Sequence, residues 1–137
     1  MAVRRSPQWR RLVWWNVALL AVLVLHDLDH VRQGRDIEAG VIAIGILGDV
    51  VAIASLGLAL AGHRLAPPAA VVVGFGTALG FVAVHALPDW GPISQGYPGI
   101  GVDLLSWVAV FIPIAVAVGL GLSGLAASSR AAAAAAP

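Results

Sequence analysis

The stretch Arg10–Gln33, RRLVWWNVALLAVLVLHDLDHVRQ, decides the fold and raises the functional question. From Leu12 to Leu25 the only polar side chain is Asn16. Those residues make a helix of about 21 Å at roughly 1.5 Å per residue, which is shorter than the hydrocarbon core of about 30 Å. A membrane-crossing helix must therefore extend past Leu25 and take in His26, Asp27, Asp29 and His30. Ionisable groups at that depth cost a few kcal/mol each unless they face a partner or water. Interfacial turns have no need of two histidines and two aspartates within five residues.

The rest of the chain supports a membrane setting. Apolar residues make up 60% of the 137 and charged residues 11%, well under the roughly 25% charged of a soluble domain. The mean hydropathy is +0.93. Four runs approach spanning length: about 9–33, 37–61, 68–87 and 100–125. The connections between them, RQGRD, GHRLAPP and PDWGPISQGYPG, are short and rich in breakers. The expected fold class is all-α: an integral-membrane four-helix bundle forming one transmembrane domain over residues 1–126. A low-complexity tail, 127–137, is expected to fray.

The first run follows RRSPQWRR and has the look of a signal peptide, but no small-residue cleavage site follows Leu25, so it reads as a retained span. Arg4, Arg5, Arg10, Arg11, Arg64 and Arg130 fall on one side of this topology. By the positive-inside rule that side is cytoplasmic, with both termini, in a multi-pass protein of the plasma (inner) membrane. The outer side then carries Asp27, Asp29, Asp36, Glu38, Asp89 and Asp103 against Arg32 and Arg35.

Small residues mark expected helix contacts: Gly76 with Gly80, Ala117 with Gly121, Ala115 with Gly119, and the face Gly45, Gly48, Ala52. Trp9, Trp14 and Trp15 at one interface and Trp90, Tyr97 and Trp107 at the other read as aromatic belts. Trp90 also has a place from which to cover a polar site as a lid.

The outer end of the first helix carries a polar stripe. At about 100° per residue, His26, Asp29, His30 and Gln33 share one face, with Asp27 at its edge and Arg32 pointing elsewhere. The third run repeats the theme in VAVHALPDWGP, with His85 and Asp89 four residues apart. Pro88 denies the Val84 carbonyl its usual helical donor. Asp103, with Ser106 and Trp107 three and four residues on, opens the fourth run at the same depth.

This pattern predicts a transition-metal site. The chain has no cysteine and its only methionine is Met1, so sulfur ligands are excluded. Imidazole and carboxylate suit Zn, Fe, Mn or Cu(II), and His pairs at i, i+4 are a common two-ligand unit. The expected ligands are His26, Asp29, His30 and His85, with Asp27, Asp89 and Asp103 as alternative or outer partners. Haem held between His26 or His30 and His85 is a weaker alternative, because carboxylates would crowd an edge that favours apolar packing. Asp36, Glu38 and Asp103 read more simply as caps or solvated charges, and His63 as a loop histidine.

Asp49, on the second run, is the one acid deep within a span. Such a group is protonated, paired or solvated in a cavity, with Asn16 and Ser55 as candidate partners. The functions compatible with these features are a metal-dependent enzyme acting on a lipid or quinol, a non-catalytic subunit or scaffold of a larger membrane complex, and a proton or cation conductor using Asp49. The expected partners are the bilayer, a membrane-soluble substrate and homo- or hetero-oligomeric neighbours. The few arginines and the absence of nucleotide or nucleic-acid motifs exclude a polynucleotide partner.

Overall fold

In the computed structural model the described residues are 6–134, with side chains described through residue 129. Arg4, Arg5 and the end of the tail (135–137) lie outside them, as does the side chain of Arg130. The chain is all-helical, with α1 (Pro7–Gln33), α2 (Ala39–Ala61), α3 (Ala66–Phe81) continued by a π-helical turn (Val82–Ala86), a single turn α4 (Tyr97–Ile100), and α5 (Leu104–Ala134). Four segments, Pro7–Gln33, Ala39–Ala61, Ala66–Ala86 and Leu104–Ser129, are long and apolar enough to cross a membrane.

Local chemistry explains the boundaries. The Ser6 side chain accepts from Trp9 N–H at 3.2 Å and Pro7 opens α1, as expected at a helix start. Gly34 closes α1 in the left-handed conformation, with φ 60°. α5 runs on to Ala134, into the low-complexity tail, as the high helix propensity of alanine favours. The fourth helix begins at Leu104, not Ile100, since Gly101 at φ 63° ends α4.

The four long helices form a ring in which α1 touches α2 and α5, and α3 touches α2 and α5. The α3–α5 contact is the most extensive. The core is small: Leu12, Leu19 and Leu23 of α1 pack with Ala70 and Ala78 of α3 and with Ala117 and Leu120 of α5. The α5 side of the α3–α5 seam uses Ala117 and Gly121 as expected, but its α3 side differs from the sequence expectation. A Cβ at Gly74 would strike the backbone of Gly121 and Ala117, whereas beside Gly76 and Gly80 there is open space. Gly74, not the Gly76/Gly80 pair, is the point of close approach. Trp9 ties α1 to α2 by donating its indole N–H to the Ala59 carbonyl at 2.9 Å.

The connections bring the ends of α1 and α3 and the start of α5 together at one end of the bundle, here called the Gln33 end. Large apolar side chains such as Leu25, Leu28, Ile46, Ile53, Val72, Leu79 and Phe111 are exposed around the outside, as lipid contact requires.

Candidate metal centre

Three histidines converge at the Gln33 end. His26 and His30 stand one turn apart on α1, and His85 comes from the π-helical turn. One ligand nitrogen from each lies within 4.8 Å of the others. The ring centroids of His26–His30, His26–His85 and His30–His85 are 4.6, 4.9 and 5.3 Å apart. His26 and His85 are each 5% exposed. Phe81 packs against His26 and His85 from the bundle side, and Tyr97 packs against His30 and His85.

Proline chemistry delivers His85. Pro88 has no N–H, so neither its α-helical acceptor Val84 nor its π-helical acceptor Ala83 receives the usual bond. Both carbonyls are reused. The Gln95 amide donates to Val84 at 2.8 Å and the Trp90 indole donates to Ala83 at 2.6 Å. Leu87 N–H reaches back five residues to Val82 at 3.1 Å. This wider turn places His85 and Val84 on the buried side. The loop then folds back beneath α4, which needs Gly96: a Cβ there would strike the backbone of Leu87, Pro88 and Asp89.

The Trp90 lid expectation is overturned. Its ring is 53% exposed and is tied to Ala83, while Tyr97, 1% exposed, covers the histidines. Burial pushes the Tyr97 phenol above its usual value, which keeps it neutral. Its oxygen accepts from Gln33 Nε2 at 3.2 Å.

The nitrogen chemistry of the cluster is specific. His26 Nδ1 sits 3.1 Å from the Ala109 carbonyl of α5. A carbonyl only accepts, so Nδ1 carries the proton and the Nε2 lone pair accepts from His30 Nε2–H. That Nε2 lies 3.1 Å from His30 Nε2. Two nitrogens on one tetrahedral zinc, each about 2.0–2.1 Å from the ion, stand about 3.3 Å apart. His85 Nδ1 is buried with no hydrogen bond, although the Gln95 backbone lies beside the ring. An unmet buried imidazole nitrogen beside two others fits a cation-binding site. His26, His30 and His85 thus form a group that could hold a metal ion. With the rings already in mutual contact there is no slot between them for a porphyrin plane.

The carboxylates are placed differently. Asp29 is buried, 6% exposed, but its oxygens accept from Arg32 Nε and Gln33 Nε2, each at 2.8 Å, so it stands beside the histidine group and not within it. Its charge still acts on both His26 and His30. Arg32, read from sequence as pointing away, is the hub. It also grips both oxygens of Asp103 at 2.9 Å each and donates to Ser106 at 2.9 Å. Asp103 caps α5 through Ser106 N–H at 3.0 Å, and the Arg32 guanidinium holds its carboxyl down at about 2. Arg32 was the residue missed, whereas the sequence spacing places Ser106 beside Asp103. The i, i+3 spacing of Asp29 and Arg32 was the available signal.

Asp89 takes no part in the cluster. Its carboxylate accepts from Ser94 Oγ at 2.5 Å and from Gly91 N–H at 3.3 Å, which order the loop and lower its pKa. Asp27 is exposed, about 100° round α1 from His26. Asp49 is half-buried on α2, and the partners expected for it do not engage it. Asn16 Nδ2 donates to its own helix at the Leu12 carbonyl, 2.8 Å away, and Asn16 Oδ1 and Ser55 Oγ are unpartnered. His63 accepts from Leu65 N–H in the exposed α2–α3 turn.

No known protein family matches the chain, and no curated protein or solved structure matches it either. The class of protein is therefore defined by fold and site alone: an all-helical bundle with four helices able to span a membrane and a three-histidine group at one end.

Proposed function

We propose that this is a polytopic membrane protein that binds one divalent transition-metal ion, of the zinc type, through His26, His30 and His85 near the outer face of the plasma membrane. The observation that carries the reading is the mutual approach of three imidazole nitrogens, one from each histidine, within 4.8 Å, in a site where His85 also has a buried Nδ1 with no hydrogen bond. Three neutral nitrogens with a position left open is the ligand count of a catalytic zinc site, not of a closed structural one. When bound, such an ion supplies Lewis acidity towards water or a polar headgroup that enters from the membrane. The chain's own residues hold and isolate it. Phe81 and Tyr97 keep bulk water from the rings, and the Asp29–Arg32–Asp103 group leaves one negative charge close by to offset the cation. The arrangement of arginines supports the outer placement.

The test is metal analysis of the purified, detergent-solubilised protein with its single-site variants. Wild type should carry about one equivalent of zinc after loading. His26→Ala, His30→Ala and His85→Ala should each weaken binding by more than the roughly 10- to 100-fold typical of losing an outer partner, and His63→Ala should match wild type. Equal metal content in all four variants would refute the site.

A further inference from the structure

Pro113 lies inside α5 and is fully buried. In an α-helix the amide of residue 113 would bond the carbonyl of residue 109. Proline has no amide proton, so that carbonyl is left without its helical partner. In this protein the Ala109 oxygen is also the acceptor for His26 Nδ1, at 3.1 Å across the α1–α5 contact. The two facts concern the same atom.

We propose that Pro113 is a positioning residue for the metal centre: by withholding an amide proton it hands the Ala109 carbonyl to His26 and fixes Nε2 as the bare, ion-facing nitrogen. The alternative tautomer, with its proton on Nε2, would set the Nδ1 lone pair against the carbonyl lone pairs and point a proton into the space between the histidines. The bonded tautomer avoids both. Orientation of a ligating imidazole through its other nitrogen is a general feature of metal sites, and backbone carbonyls commonly serve. The proline leaves that carbonyl without a competing amide, unlike the Ala59 carbonyl, which the Trp9 indole shares with the Gly62 amide. Pro88 likewise releases the Val84 carbonyl, which takes the Gln95 amide instead of a histidine.

The metal clause of this inference rests on the proposed function; the tautomer clause does not. The experiment uses full-length protein in detergent micelles, labelled with ¹⁵N-histidine, metal-free for NMR and then titrated with zinc. Wild-type His26 should show Nδ1 protonated and Nε2 bare. In Pro113→Ala the new amide takes the Ala109 carbonyl, so the Nε2–H tautomer of His26 should appear and zinc affinity should fall about 10- to 100-fold, with helix content unchanged. A second variant carries at position 113 the α-hydroxy acid analogue of alanine, which lacks both the proline ring and the amide proton. It should keep the wild-type tautomer and affinity. The inference is overturned if Pro113→Ala leaves the His26 tautomer as in wild type. It is equally overturned if the α-hydroxy variant loses the Nδ1–H tautomer, an arm that stands even if the alanine variant misfolds. If wild type takes up no zinc while the tautomers behave as expected, the metal reading fails and the tautomer lock remains.

Discussion

α2 and α5 have the same mean hydropathy, yet the share of α5 buried inside the protein is about twice that of α2. The difference lies in how close each backbone comes to a neighbour. α5 meets α3 at Gly74 and Gly121 with no room for a side chain, while Gly45, Gly48 and Gly57 of α2 have open space beside them and only Gly40, at its first turn, meets backbone, in the Pro92 loop. Function follows the same division. α5 contributes the Ala109 carbonyl, Asp103 and Ser106 to the Gln33 end. α2 carries Asp49 near its middle and contributes nothing to the histidine group. An ionisable side chain in a span marks a candidate; its backbone must also be held against the other ligands before a site can form.

The contrast breaks first at the glycines. Gly74→Ala forces two backbones apart and should cost about 1–3 kcal/mol, the usual range for overpacking. Gly48→Ala adds a methyl to open space and should be neutral or stabilising by up to about 1 kcal/mol through helix propensity. Thermal unfolding in detergent reads both, and similar shifts would mean that α2 is packed as tightly as α5.

A smaller effect is expected at the ion pair that ties α1 to α5. Asp103 is held at about 2 by Arg32, below an unperturbed value of about 3.9. Its stabilising contribution is therefore complete above about pH 4 and is lost as pH falls towards 2. Asp103→Asn keeps a capping side chain but removes the charge. Its melting temperature should fall less than that of wild type between pH 5 and pH 2, and parallel curves for the two would place the acid sensitivity elsewhere.

The smallest effect belongs to Asp49→Asn, which should leave zinc stoichiometry and affinity unchanged. Loss of metal in that variant would draw α2 into the site and remove the distinction between the two helices.

Much of this was legible in the chain because membrane physics leaves few choices. The lengths of the apolar runs predict four helices able to span, and the i, i+4 spacing of His26 and His30 puts both on one face of α1. Pro88 announced a disturbed helix end, although not that Val84 and Ala83 would find Gln95 and Trp90. The α5 half of the glycine seam, Ala117 and Gly121, was legible, but its α3 half was not, since 16 glycines offer many small-residue pairs and only the rotation of α3 against α5 selects Gly74. The role of Arg32 was hidden for a related reason: its partner Asp103 is 71 residues away.

The sequence by itself determined that this is a chain of four long apolar helices with His and Asp residues near their ends, because apolar run length and charge position are one-dimensional facts. Only the tertiary structure decided which of those groups meet. Helix rotation, the π-helical turn at His85 and the carbonyl released by Pro113 bring three imidazoles together and leave Asp27, Asp49 and Asp89 outside. Such contacts depend on displacements of an ångström or two between backbones remote in sequence, which no local pattern of residues encodes.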